Sequence, residues 1–543
     1  WKVRKIVNKN NENINNDKKK NDNNKIFVEK ETTKVDVWRI KKYVCKVKPI
    51  GIYTGKNIIV LNKTQAMGHD IYEGYRTILK KNSTEIVAIV DVSDEIVKHG
   101  EVGVYSDIAK EFGLKEGDTV EIVHMDQPDS IAYIKKKLNK GTLSEHEIKT
   151  IVNEIMRNEL SEIEVSAWIT AAYINGFSDD EIVALTNATV ESGERLELGK
   201  KPVVDKHCIG GVAGNRTTMI VTPIIAAAGL YIPKTSSRAI TSAAGTADTM
   251  EVLCNVTFNI HELKEIVLKT HGAMVWGGGM KLAPVDDKLI RIRHPLSLDP
   301  EGMLLASILA KKKAVGAEYV IVDIPVGRGV KVPYYEKGQE LAKHFLRIGN
   351  QLNMKLEVLI TDGAEPIGQG IGPALECIDV LKVLSGEGPE DLKHKSLLMA
   401  GKLLELTGKV GKDEGYKAAE EILLSGKALR KFLEIVEAQG GNPNVKITDI
   451  PVGQYTYTVK AQTKGTIYHI DNHTIAKIAR IAGAPRSKGA GVLLHKARGD
   501  RIVPGDPLFT IYAESEQSLD YAIKALEKIE PIELRKMLLG TMM

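Results

Sequence analysis

The sequence predicts a multidomain protein of α/β and α+β class, with an N-terminal β-barrel-like domain, a helical domain, an α/β sheet domain and a C-terminal β-rich α+β domain. Three observations support this prediction. A chain of 543 residues is too long for one compact core, so we expect separate units with clefts between them. Apolar residues alternate with polar ones near both ends, which indicates strands. The middle of the chain shows helical periodicity, which then gives way to mixed strand and helix patterns.

The composition argues against nucleic-acid and membrane partners. Hydrophobic residues make up 43% of the chain and charged residues 27%, as in ordinary globular proteins, and the net charge of +5 is small for this length. No apolar run approaches the roughly 20 residues that a membrane-spanning helix needs. The cysteines, Cys45, Cys208, Cys254 and Cys377, lack metal-ligand spacing. We therefore expect no metal site and a reducing, cytoplasmic location.

Both ends of the chain have distinct compositions. Residues 1–34 are rich in asparagine and lysine and predict a disordered tail, because they cannot bury a core. Residues 35–126 predict the N-terminal β domain, in which "GVYSDIAKEFGLKEGDTVEIVHM" indicates a strand, a short helix, a turn and a strand. Residues 441–543 contain short apolar runs with glycine and proline turns, as in "GAGVLLHKARGDRIVPGDPLFTIYA". This last stretch predicts the C-terminal α+β domain.

The middle of the chain predicts helices and then a sheet. Residues 127–200 predict the helical domain, because "LSEHEIKTIVNEIMR", "SEIEVSAWITAAYING" and "SDDEIVALTNATVESG" each begin with serine and acidic residues, as helix caps do. Residues 201–385 mix strand-like and helical runs and predict the α/β domain, which is expected to bind phosphate and nucleotide. Residues 386–440 predict a helical segment that leads to the C-terminal domain.

A glycine loop is the first candidate ligand site. The run "KPVVDKHCIGGVAGNRTT" indicates a strand, a glycine loop and the start of a helix. Backbone N–H groups and a helix N-terminus would then face one point, which favours a phosphate. The loop lacks the ending of a nucleotide-triphosphate loop and the spacing of the dinucleotide fingerprint. Tight packing of the strand against the helix is the alternative interpretation.

A second stretch, "KTSSRAITSAAGTADTMEVL", is rich in hydroxyl groups around Arg238. Hydroxyls donate hydrogen bonds to anionic oxygens without adding buried charge, so the two loops together predict a place for two phosphate groups. A solvated serine-rich loop is the alternative. The small apolar residues between the hydroxyls argue against that alternative, because surface loops seldom carry them.

Acidic and amino groups follow further along the chain. Asp299 precedes a predicted helix that carries Ser307 and Lys311 one turn apart. In a cleft that favours its protonated form Asp299 could act as a general acid, and otherwise it simply caps the helix. Lys331 follows a predicted strand, at the end of a sheet where ligands bind, and its alternative is an ordinary exposed lysine.

The runs "VVDKHCIGGVAGNRTT", "IPKTSSRAITSAAGTADTMEV" and "SLDPEGMLLASILAKK" resemble the thymidine and pyrimidine-nucleoside phosphorylase family, and within it the archaeal AMP phosphorylase branch. The resemblance covers the chain except for its asparagine-rich start. It implies a helical domain that faces an α/β domain across a cleft. It also implies phosphorolysis of AMP, with CMP and UMP as further candidates, to the free base and ribose 1,5-bisphosphate. No cofactor is implied, since phosphate is a substrate, and a homodimer or larger homo-oligomer is expected.

Carried over residue by residue, the resemblance implies Asp299 as the proton donor. The implied AMP- and phosphate-binding residues are Gly211, Ser237, Arg238, Ala239, Ile240, Thr241, Ser242, Thr246, Ser307 and Lys331, with Lys206, Ser236 and Lys311 as further candidates. Where pyrimidine enzymes have Lys-His-Ser-Thr-Gly-Gly, this chain has "KHCIGG", so two hydroxyls are missing. The arginine that grips the pyrimidine base falls on Ile292 in an ungapped match, between Arg291 and Arg293. Where the pyrimidine enzymes have Ser-Gly-Arg-Gly, this chain has "SSRA" at 236–239, so hydroxyl side chains are redistributed, which fits a substrate that brings its own 5′-phosphate.

Three other functions remain open from the sequence. The first is a thymidine-type phosphorylase of unphosphorylated nucleosides, and the second is a phosphoribosyltransferase that uses pyrophosphate and magnesium. The third is a nucleotide sensor that binds AMP without releasing adenine. Phosphate-dependent release of base from AMP distinguishes all three from the predicted activity.

Overall fold

The computed structural model describes residues 42–125, 127–239 and 242–535. The predicted tail and the first residues of the predicted N-terminal domain lie outside these ranges. The first described elements are the strands β1 (Lys42–Ile50), β2 (Ile58–Leu61), β3 (Arg76–Lys81), β4 (Thr84–Val92), β5 (Glu101–Tyr105) and β6 (Thr119–His124), with the helices α1 (Lys63–Gly68) and α2 (Ser106–Glu111). The strands form a closed barrel in the order β1-β5-β2-β4-β3-β6. Alternate residues such as Val47, Ile59 and Ile122 fill its interior, as the sequence alternation predicts.

A helical layer follows the barrel. It contains α3 (Ser130–Leu138), α4 (Glu145–Met156), α5 (Glu162–Asn175) and α6 (Asp179–Glu191). The last three begin at the predicted serines Ser144, Ser161 and Ser178, each of which forms a capping box with the glutamate three residues later. The predicted starts of these helices are therefore confirmed.

Parallel strands form the sheet of the α/β unit. The strands are β7 (Val204–Cys208), β8 (Ile232–Ser236), β9 (Gly272–Trp276), β10 (Tyr319–Val326) and β11 (Lys355–Asp362). They pair in the orders β11-β10-β7 and β8-β9, and a parallel bridge between Val203 and Tyr231 connects the two groups. The intervening helices are α7 (Thr217–Ala227), α8 (Thr246–Met250), α9 (Ile260–Thr270), α10 (Pro284–Arg293), α11 (Glu301–Ala314) and α12 (Tyr335–Gln351), with short 3₁₀ helices at Gly277–Gly279 and His294–Leu296.

The packing differs from the predicted division of the chain in two places. Helices α10 and α11, from within the predicted range 201–385, pack against the helical layer, because their apolar residues complete its core. The chain after the sheet forms α13 (Pro373–Leu384), α14 (Glu390–Leu406), α15 (Gly415–Leu424) and α16 (Lys427–Ala438). Helices α14 and α16 pack against α7, and their residues share one apolar core with β7 and β8. The predicted segment 386–440 is therefore part of the α/β core.

The C-terminal unit contains two small sheets. Its elements are β12 (Gly370–Ile371), β13 (Tyr455–Lys460), β14 (Gly465–Ile470), β15 (Gly491–Leu494), β16 (Arg501–Ile502), β17 (Pro507–Ala513) and β18 (Ile532–Leu534), the helices α17 (Asn472–Ile481) and α18 (Glu516–Leu526), and a 3₁₀ helix at Ile447–Asp449. The strand orders are β12-β15-β17-β13 and β16-β14-β18, with both helices packed on the four-stranded sheet. Within the described residues, no helix is long and apolar enough to cross a membrane.

Candidate active site

A cavity of about 490 Å³ lies where the two predicted loops meet. This volume is in the usual range for small-molecule sites. Of the predicted residues, those that line it are Lys206, Gly211, Ser236, Ser237, Arg238, Ala239, Ser242, Thr246 and Lys311. Ser307, Lys331 and the predicted proton donor Asp299 are not among its lining residues. Ile240 and Thr241 lie outside the described residues.

The glycine loop joins β7 to α7, as the sequence predicts, and only glycine fits its centre. Gly211 has a φ of 102°, and a Cβ there would lie 3.0 Å from the Cβ of Val330 and 3.1 Å from the backbone N of Lys331. Asn472 of the C-terminal unit holds the loop, because its Oδ1 accepts from the Ala213 N–H at 2.9 Å. The loop backbone is thus fixed from two sides beside the cavity.

Buried lysines form the floor of the cavity. Lys206, Lys234 and Lys312 line it although all three are almost fully buried. Lys312 donates to Asp205 at 2.7 Å, whereas Lys206 donates to the hydroxyl of Thr217 and Lys234 to the carbonyl of Lys206, each at 2.7 Å. Burial lowers the pKa of Lys206 and, more strongly, that of Lys234. Lys234 also lies 3.4 Å from Asp205, so two ammonium groups share that carboxylate, and the hydrogen-bond partner of the Lys206 ammonium is neutral. The three lysines therefore attract an anion to this floor.

The serine loop is held in shape by Asp248. One carboxylate oxygen of Asp248 accepts from the N–H groups of Ala239 at 2.7 Å and Gly245 at 2.9 Å. Two of the predicted hydroxyls donate within the loop, Ser236 to the carbonyl of Ser237 and Ser242 to that of Ala244, each at 3.0 Å. To donate to a bound anion, these hydroxyls must therefore give up their hydrogen bonds to the carbonyl oxygens.

Arg238 belongs to a group of alternating charges at the edge of the cavity. Its two Nη atoms donate to the two carboxylate oxygens of Glu251, each at 2.6 Å, and its guanidinium lies 4.9 Å from the ring centroid of Trp276. Lys488, from the C-terminal unit, donates to the same Glu251 at 2.7 Å. The Arg238 hydrogen bonds, followed by that of Lys488, lower the pKa of Glu251 to about 2.

A second cluster lies on α10 and α11. Asp286 accepts from the Ser307 hydroxyl at 2.7 Å and from the Lys311 ammonium at 2.5 Å. The neighbouring Asp287 lines the cavity, and burial raises its pKa. Lys311 thus joins the cavity to a buried carboxylate, while Ser307 contacts that carboxylate instead of the cavity.

Asp299 and Lys331 lie together, outside the residues that line the cavity. Asp299 pairs with Arg293 at 2.9 Å and with Lys331 at 3.3 Å. Pro300 is the N-cap residue of α11 and the helix has no side-chain cap, so the alternative interpretation of Asp299 as a cap is wrong. The backbone of Lys331 lies beside Gly211, which brings this pair near the cavity.

Sequence reasoning missed several residues of the cavity. Lys234 could have been identified from the sequence, because it is a charged residue that directly follows Ile232 and Pro233 within the strand β8. Asp287 and Trp276 carried no signal beyond their residue types, and the contribution of Lys488 and Asn472 depends on long-range packing. In the described residues, no group of three or more His, Cys, Asp or Glu side chains could hold a metal ion, and Cys45, Cys208, Cys254 and Cys377 are free thiols.

Family models match three parts of the chain. Residues 131–193 match the helical bundle domain of a glycosyl transferase family, residues 200–429 match the a/b domain of that family, and residues 466–533 match the pyrimidine nucleoside phosphorylase C-terminal domain. The matched ranges include both loops, the buried lysines, Asp299 and Lys488.

Full-length relatives are also similar. The AMP phosphorylase of Methanosarcina barkeri is 48% identical over 91% of this chain and 97% of its own length. The AMP phosphorylase of Pyrococcus furiosus is 46% identical over 91% of this chain and 98% of its own length. AMP phosphorylase 1 of Archaeoglobus fulgidus is 45% identical over 91% of this chain and 98% of its own length.

Proposed function

Because the chain belongs to the AMP phosphorylase family, we propose that the cavity between the glycine loop and the serine loop is its active site. The protein is a pentosyltransferase that cleaves AMP with inorganic phosphate. An oxygen of phosphate forms a bond to C1′ as the bond from C1′ to the adenine nitrogen breaks, which gives adenine and ribose 1,5-bisphosphate. The thymidine-type alternative, a phosphorylase of unphosphorylated nucleosides, is not favoured.

The observation that carries the site assignment is the excess of cations on the cavity floor. Lys234 and Lys312 share the single carboxylate of Asp205, and the Lys206 ammonium donates to a hydroxyl, so an anion in the cavity gains from the three lysines. We assign the inorganic phosphate to this floor. The 5′-phosphate of AMP then contacts the serine loop, where the proposed binding residues are Ser237, Arg238, Ala239, Ser242 and Thr246, together with Gly211 of the glycine loop.

Asp299 is the proposed proton donor to N7 of the adenine ring, so that the base leaves as a neutral molecule. Its pairing with Lys331 supports a role in a substrate-dependent step. When Lys331 turns to a phosphate oxygen, Asp299 loses one of its two cationic partners and keeps Arg293. Ser307 and Lys311, joined through Asp286, are proposed to face the base end of the nucleotide.

The remaining expectations from the resemblance are part of the same proposal. CMP and UMP are candidate substrates beside AMP, no metal or organic cofactor takes part, and the chain assembles as a homodimer or larger homo-oligomer in the cytoplasm. Free thiols in all four cysteines agree with a reducing compartment.

One assay tests the function. Release of base from AMP, CMP, UMP, adenosine and thymidine is measured with and without phosphate, and with a chelator. We expect adenine release from AMP that requires phosphate and is indifferent to the chelator. Activity confined to the nucleosides would contradict the assignment. AMP binding without adenine release would identify a sensor, and a need for magnesium and pyrophosphate would identify a phosphoribosyltransferase.

A further inference from the structure

We propose that Lys488, which the C-terminal unit contributes, is a positioning residue for the 5′-phosphate of AMP. Its ammonium group holds Glu251, and Glu251 in turn holds the end of the Arg238 guanidinium. This inference rests on the proposed function of Arg238 as a ligand of the 5′-phosphate. It gives the C-terminal unit a part in substrate binding.

The geometry leaves one edge of Arg238 available. Nη1 and Nη2 each donate to Glu251 at 2.6 Å, and Nη1 also lies 3.4 Å from Asp248. No described residue accepts a hydrogen bond from Nε. A guanidinium has five N–H donors in a rigid fork, so Nε and the second N–H of Nη2 can bind a phosphate while Glu251 holds the other edge.

Lys488 is needed because two carboxylates meet at this point. Asp248 and Glu251 together carry two negative charges, which Arg238 alone would leave half neutralised. The Lys488 ammonium lies 2.7 Å from Glu251 and 3.9 Å from Asp248, and makes the group neutral. Without it the guanidinium is drawn between two carboxylates, and a phosphate dianion approaches a net negative group.

Lys488 also ties its own loop to this group. Its ammonium lies 3.4 Å from the carbonyl oxygen of Asp248, on helix α8. Asp248 shapes the serine loop through the N–H groups of Ala239 and Gly245. One residue of the C-terminal unit therefore contacts both the carboxylate that orients Arg238 and the helix that shapes the serine loop.

The test is the kinetics of Lys488→Met and Glu251→Gln. Both variants should raise the KM for AMP by up to roughly fivefold, the upper end for one partly exposed charged contact. Lys488→Met leaves the group net negative, whereas Glu251→Gln offers one acceptor oxygen instead of two and no longer orients both Nη atoms of Arg238. The kcat and the KM for inorganic phosphate should stay near those of the wild type. The inhibition constant of adenosine against AMP should not change, because adenosine has no 5′-phosphate. The double variant should be no worse than either single one, since both act through Arg238.

Matched variants and outcomes keep the inference falsifiable. Lys488→Arg should retain most of the affinity, and Lys496→Met, in the same unit and paired with Asp506 at 3.5 Å, should have no effect. Equal losses for AMP and adenosine would show a structural role instead, and an unchanged KM for AMP in both variants would overturn the inference. If Lys488→Met does not fold, the KM for AMP and the inhibition constant of adenosine in Glu251→Gln test the inference on their own. A wild-type protein that releases no adenine from AMP would refute the proposed function itself.

Discussion

Replacement of Asp299 by asparagine tests the proposed proton transfer. Asparagine keeps the shape of the side chain but cannot give a proton to the departing adenine. General acid catalysis of this kind contributes about 10²- to 10⁴-fold. We therefore expect kcat to fall by that factor, which corresponds to about 3 to 5 kcal/mol of the activation barrier.

The structure separates this loss from a loss of stability. The Asp299 carboxylate is 42% exposed, and its partner Lys331 is 45% exposed. The other partner, Arg293, is only 10% exposed, but the side-chain oxygen of asparagine can still accept its hydrogen bond. Ion pairs between exposed groups stabilise a protein by about 0 to 1 kcal/mol. The free energy of unfolding should therefore change by far less than the barrier, and the KM for AMP should change little.

The assay is adenine release at saturating AMP and phosphate, with thermal unfolding of each variant measured beside it. Asp287→Asn is the matched control, because Asp287 lines the cavity and burial raises its pKa. It should retain nearly full turnover. Near-normal turnover of Asp299→Asn would refute the assignment. If only Asp287→Asn lost most of its turnover, the proton donor would be Asp287 on α10 instead.

Three further predictions concern the loop, the floor and the helical layer. Gly211→Ala, at a φ of 102°, should lower kcat/KM by about tenfold or more, because its Cβ would meet Val330 and Lys331. Gly505→Ala, at a φ of 95° with open space around its Cβ, should leave kcat/KM unchanged, and steady-state kinetics compares the two variants. The KM for phosphate should rise as the pH is raised, since burial lowers the pKa of Lys234 and the cation is lost at a lower pH than in a free lysine. A pH profile that Lys234→Met leaves unchanged would contradict this. Lys137→Met should destabilise the protein by about 3 to 5 kcal/mol in denaturant unfolding, because it leaves Glu181 buried without its cation, while exposed Lys136→Met should cost at most about 1 kcal/mol.

The helix starts and the glycine loop could be predicted from the sequence, because each depends on residues that lie close together in the chain. The serine and glutamate of each capping box lie three residues apart, so Ser144, Ser161 and Ser178 mark helix starts in the text itself. The same is true of the glycine loop, whose strand, loop and helix follow one another without interruption. The two loops that the sequence selects do line one cavity.

Long-range pairing was not predictable in this way. Lys488 meets Glu251 across 237 positions, and Asn472 meets Ala213 across 259. No spacing rule covers such contacts, because they depend on how the C-terminal unit packs on the sheet. The family resemblance supplied Asp299, Ser307 and Lys331, which composition and periodicity leave ambiguous. Their distance from the cavity lining became visible only in three dimensions.

The cations of this site differ in what they must give up to bind an anion. Arg238, Lys311 and Lys331 each have a carboxylate partner, so a phosphate must compete with Glu251, Asp286 or Asp299. Lys206 donates to a hydroxyl and Lys234 to a carbonyl, both neutral acceptors, although Lys234 also lies 3.4 Å from Asp205, a carboxylate that it shares with Lys312. Exchange of a neutral acceptor for a phosphate dianion gains more than exchange of one anion for another. The strongest attraction for an anion therefore lies at the cavity floor. The carboxylate-paired cations are suited to the nucleotide, because its binding can then be coupled to the separation of Asp299 from Lys331.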